Sequence, residues 1–135
     1  MIVPYTRLPQ AAGGWPRPLL DITVGDVEDV AFPCLVDSGA VQTLVPVWIA
    51  SDCGVDLDRL PPATFGVAGG STQGRFATVR IAAGEYAWEA EVGFCDPWPY
   101  SWGLLGHASF FRFFAVTFRA ADLEFELTPI DQSEK

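Results

Sequence analysis

The stretch Phe32-Pro33-Cys34-Leu35-Val36-Asp37-Ser38-Gly39-Ala40 carries an apolar strand straight into a charged turn. Phe32, Cys34 and Val36, with Val30 before them, recur at period two, as they do in a strand with one buried face. Asp37 ends that run, so a carboxylate stands where the strand meets Ser38-Gly39-Ala40. Burying a carboxylate without partners is costly. Two uses fit the position: Asp37 starts a turn by accepting backbone N–H bonds, or it does acid-base chemistry.

Upstream, Leu20, Ile22 and Val24 share one face, and Gly25-Asp26-Val27-Glu28-Asp29 is a polar turn. A hairpin over 19–36 follows. Downstream, Thr43-Leu44-Val45 is extended, and Pro46 opens a short helix to Asp52 that Gly54 stops. Residues 64–81 form a second hairpin with a Gly-rich tip at Gly69-Gly70. Tyr86, Trp88, Ala90, Val92 and Phe94 alternate with Ala87, Glu89, Glu91 and Gly93, the clearest period-two stretch in the chain. The Pro-rich segment 96–100 closes that strand. Gly103-Leu104-Leu105-Gly106 leads into a short apolar helix over 108–114, and 116–127 reads as a last hairpin around Ala120-Ala121-Asp122. The whole is one mainly β domain over 1–135, with a lead over 1–17 and a polar tail over 130–135.

Composition narrows the function. Eight Lys and Arg stand against seventeen Asp and Glu, giving a net charge of −9 that repels nucleic acid and anionic membranes. No apolar run is long enough for a membrane-spanning helix, and no basic-then-apolar leader opens the chain, so the expected location is cytoplasmic. Cys34, Cys53 and Cys95 fit neither a disulfide framework nor a metal clip and read as packed thiols. His107 is the one histidine and lies on no nucleophile motif; Gly66-x-x-Gly69-Gly70 lacks the Lys of a phosphate loop. Carboxylate chemistry remains, and it needs two carboxyl groups in different protonation states.

Leu35-Val36-Asp37-Ser38-Gly39-Ala40 resembles the hydrophobic-hydrophobic-Asp-Ser/Thr-Gly-Ala motif of retropepsin-like aspartic proteases. A leading hairpin, a Gly-rich hairpin similar to the flap, and Leu104-Leu105-Gly106, similar to the element before the family's C-terminal helix, follow in the family's order over about 18–129. The resemblance implies a closed or partly open β-barrel of the acid-protease (retropepsin) type with one or two short helices. It also implies an aspartic endopeptidase that needs no cofactor or metal and hydrolyses a peptide or protein substrate.

Each chain carries a single Asp-Ser-Gly, so the second carboxylate implied by the resemblance comes from another copy, which makes the enzyme a homodimer. Asp37 is then catalytic, with Ser38, Gly39 and Ala40 in support. Val67, Ala68, Gly69, Gly70 and Ser71 form the flap that covers substrate, and Leu104, Leu105 and Gly106 are structural beside the site. Many retroviral members brace the dimer with an acidic residue after the Ala and an Arg after the later Gly; here Val41 and His107 stand there. The alternative is a non-catalytic dimerisation or peptide-binding module on the same fold.

Overall fold

The computed structural model describes residues 1–8, 14–25, 31–67 and 69–131, and of Val67 the backbone alone. Val30, Ala68, most of the turn expected over 25–29 and the end of the polar tail therefore lie outside the described residues.

Six strands close into a barrel. They are β2 (Leu19–Val24), β3 (Phe32–Val36), β4 (Leu44–Pro46), β6 (Gly70–Ala83), β7 (Tyr86–Asp96) and β8 (Gly103–Leu105), in the order β2-β3-β8-β4-β7-β6. The ring shuts where Thr23 and Val24 pair with Ala82 and Ile81. Closure removes sheet edges, so the alternating residues of each strand face one interior. Ile22, Cys34, Val45, Ile81, Val92, Phe94 and Leu105 are fully buried there.

Four further strands lie outside the ring. β5 (Ala63–Val67) pairs only with the first part of β6, and so the β5–β6 arm projects beyond the ring. A second, three-stranded sheet orders β1 (Ile2–Pro4), β10 (Glu124–Pro129) and β9 (Phe114–Arg119), and Phe125 and Leu127 of its middle strand join the same core. Helical structure is short: α1 (Trp48–Asp52), 3-10 turns at Leu57–Arg59 and Ala120–Asp122, and a π-helical turn at His107–Phe111.

Several expectations need correcting at their edges. Pro46 does not open the helix; it ends β4, paired with Cys95, and α1 begins two residues later. Gly54 does follow the helix, with φ +76°. Gly93, expected on the outward face of β7, is buried, because Leu44 and Phe76 pack where a Cβ would stand. The apolar segment after Gly106 forms a π turn that stops at Phe111. The lead expected over 1–17 contributes β1, which pairs with β10 at Ile2 to Pro4. Among the described residues no helix is long and apolar enough to cross a membrane.

Candidate active site

Asp37 leaves the end of β3 and is held by the neighbouring strand. β8 runs parallel to β3, with Val36 opposite Leu105, and the Asp37 N–H donates to the Leu105 carbonyl at 3.1 Å. β8 also lies between β3 and β4, the two strands that the Asp37 turn connects. Leu104-Leu105-Gly106 thus lies beside the Asp37 turn.

The turn closes on itself and on the segment after β8. Ala40 N–H donates to the Asp37 carbonyl at 3.1 Å, and Gly39 N–H donates to Asp37 Oδ1 at 2.9 Å. This is the turn-forming use of Asp. Among the described residues Oδ2 makes no hydrogen bond, and the side chain is half-buried, so one carboxylate oxygen stays available to chemistry. Gly106 N–H donates to the buried Thr43 hydroxyl at 3.1 Å, while His107 and Ala108 N–H groups donate to the carbonyls of Ala40 and Val41, both at 2.9 Å. A Cβ on Gly106 would stand 2.3 Å from the Gln42 carbonyl oxygen, a distance only glycine avoids.

The turn floors a cleft of about 730 Å³. Apolar Leu35, Val41, Leu44 and Leu104 line it, together with Thr64, Phe65 and Gly66 of β5 and with Tyr100 and Trp102. The two aromatic rings stack at 4.9 Å, and Trp98 Nε1–H ties the loop by donating to the Trp102 carbonyl at 2.9 Å. Asp37 is the only charged side chain among the described lining residues.

The hairpin reaches the cleft with its arm. Gly69 turns with φ +85°, Val67 pairs with Gly70, and Gly69, Gly70 and Ser71 are exposed beyond the lining residues. Ala68 lies outside the described residues. At the hairpin base the Arg75 guanidinium donates to the carbonyls of Leu57 at 2.6 Å and Leu60 at 2.8 Å, tying the 3-10 turn to β6. Phe65 meets Phe76 edge-on at 4.7 Å.

Sequence reasoning did not single out Thr43, Arg75, Tyr100 or Trp102. Thr43 and Arg75 act through partners distant in the chain, whereas Tyr100 and Trp102 stack within one loop, and only the aromatic density of 98–102 was a visible signal. Burial pushes the Cys34 thiol far up and that of Cys95 up to about 12, which keeps both protonated at neutral pH, and no cysteine is among the cleft's described lining residues. Among the described residues no group of three or more His, Cys, Asp and Glu side chains comes together as a metal site. No model of a known protein family matches the chain, and no curated protein matches it in sequence.

Proposed function

We propose that the chain is a retropepsin-like aspartic endopeptidase, active as a homodimer on extended peptide segments with apolar side chains. The observation that carries this is Asp37: among the described residues, a carboxylate with one oxygen unengaged and the sole charge lining an apolar cleft that the β5 arm also lines. The closed barrel with β8 between β3 and β4 supports the acid-protease architecture. One chain supplies one carboxylate, whereas attack of water on an amide needs a base for the water and an acid for the carbonyl oxygen. Asp37 of a second copy completes the pair. Two facing carboxyl groups resist double ionisation and share a proton, so each role is filled at once. Val41, 64% exposed beside the turn, offers apolar surface to that copy.

Peptide cleavage by wild type and Asp37→Asn tests the reading. The variant keeps fold and dimer and loses activity by about 10³-fold or more, since an amide cannot alternate between acid and base. Wild-type activity follows a bell-shaped pH profile with an acidic optimum. Full activity of Asp37→Asn sinks the proposal; a wild type that cleaves no peptide and binds peptides no better or worse than Asp37→Asn does is the non-catalytic module instead.

A further inference from the structure

We propose that His107 is a positioning residue for Asp37, acting through the single peptide group between Ser38 and Gly39. The inference rests on the endopeptidase reading of the cleft. His107 Nε2 lies 2.6 Å from the Ser38 carbonyl oxygen. A carbonyl only accepts, so Nε2 carries the hydrogen, a condition met by the neutral Nε2–H tautomer and by the imidazolium alike. The other end of the same peptide group, Gly39 N–H, donates to Asp37 Oδ1 at 2.9 Å. A peptide group is planar and rigid, so fixing its C=O fixes the direction of its N–H, and with it the carboxylate that accepts from it. A donor on the carbonyl also polarises the amide and strengthens the N–H bond to Oδ1.

The imidazole is itself held. Its ring lies 5.0 Å from that of Phe111 at an interplanar angle of 32°. The π-helical turn brings the two together: Phe111 N–H donates to the Gly106 carbonyl at 3.2 Å and Arg112 N–H to the His107 carbonyl at 3.0 Å, both five residues on. Main-chain bonds from His107 and Ala108 already secure Ala40 and Val41, at the far end of the loop. Ser38 is exposed, and among the described residues the imidazole is the partner its carbonyl has. Without it the Ser38–Gly39 peptide group is held only from its N–H side and by the Ala40 bond that closes the turn.

Two readouts test this. In His107→Ala, kcat for a cleaved peptide falls about tenfold with KM within about twofold, and His107→Gln, whose amide can donate to the same carbonyl, recovers most of the loss. Independently of any substrate, nitrogen NMR of the wild type finds neutral His107 as the Nε2–H tautomer, and amide exchange at Gly39 quickens about tenfold in His107→Ala and returns in His107→Gln. An Nδ1–H tautomer, unchanged Gly39 exchange, or a loss carried by KM overturns the proposal. A wild type that cleaves no peptide defeats the endopeptidase reading, while the tautomer and the Gly39 exchange still decide the role of His107.

Discussion

The Asp37 turn, which lines the cleft, and the tip of the β5–β6 hairpin, whose arm lines it, are built in opposite ways. The turn is bonded at almost every step: Asp37 to Leu105, Gly39 to the Asp37 side chain, Ala40 and Val41 to the segment after β8, and Gly106 to Thr43. Its glycine at 106 has backbone oxygen on two sides, with Gln42 O 2.3 Å and Ala40 O 2.8 Å from where a Cβ would lie. At the tip, an added Cβ on Gly69 or Gly70 meets nothing within 4 Å among the described residues. A catalytic carboxylate works only if held in place, whereas a cover works only if it can move. The same residue type serves both ends, for closeness in one and freedom in the other.

The largest break in this contrast comes at Gly106. Gly106→Ala forces backbone apart beside the site and lowers stability by about 2–3 kcal/mol, read from urea unfolding, with loss of peptide cleavage. A variant of unchanged stability would mean that the segment after β8 is looser than its contacts imply.

At the tip the balance reverses. Gly70→Ala changes stability by less than about 0.5 kcal/mol, since there is space and no positive φ to strain. Gly69 has φ +85°, so valine there costs about 1–3 kcal/mol of local strain. The double change Gly69→Val with Gly70→Val lowers turnover about tenfold by hindering closure, measured against a barrel whose core packing is intact. Normal turnover in that double variant removes the hairpin as a lid.

The smallest effect lies away from both regions, on the β9–β10 hairpin. Arg119 pairs with Glu124 at 3.1 Å and with Glu126, and the hydrogen bond from Arg119 holds the Glu126 carboxyl below its ordinary value. A depressed carboxyl stabilises the fold above its unfolded pKa and gives that up as pH falls through its folded value. Urea midpoints taken down through pH ~4 and below therefore show a slight decline that Glu126→Gln lessens. The pair is surface-exposed, so the decline is small enough to separate acid effects on activity from unfolding.

Sequence reading found the long strands because period-two alternation is a local signal. β2, β3, β6, β7 and the closing hairpin all show it. β8 escaped it: Gly103, Leu104 and Leu105 are too few to alternate, and Gly103 and Leu105 are buried because the strand lies between β3 and β4. β1 escaped for the same reason, since Ile2 to Pro4 becomes a strand only through pairing with residues 124–126. Asp37 was legible as a charge closing an apolar run. Leu105 and His107 were tied to the site only through the resemblance and Thr43 not at all, because the bonds by which they reach the turn and the segment beside it come from tertiary pairing that no local pattern encodes. Of the β5–β6 hairpin, Thr64 to Gly66 are the described residues that line the cleft, and where that arm stands depends on where the barrel closes, which no local pattern encodes.

The central claim is that one active site draws Asp37 from two chains. Subunit mixing tests it most directly: wild type and Asp37→Asn are combined at fixed total concentration, left to exchange, and assayed for peptide cleavage. If both carboxylates are required, only wild-type pairs act, and an equal mixture retains about a quarter of the activity of wild type alone. If each chain carries a complete site, the same mixture retains about half, and the shared dyad is contradicted.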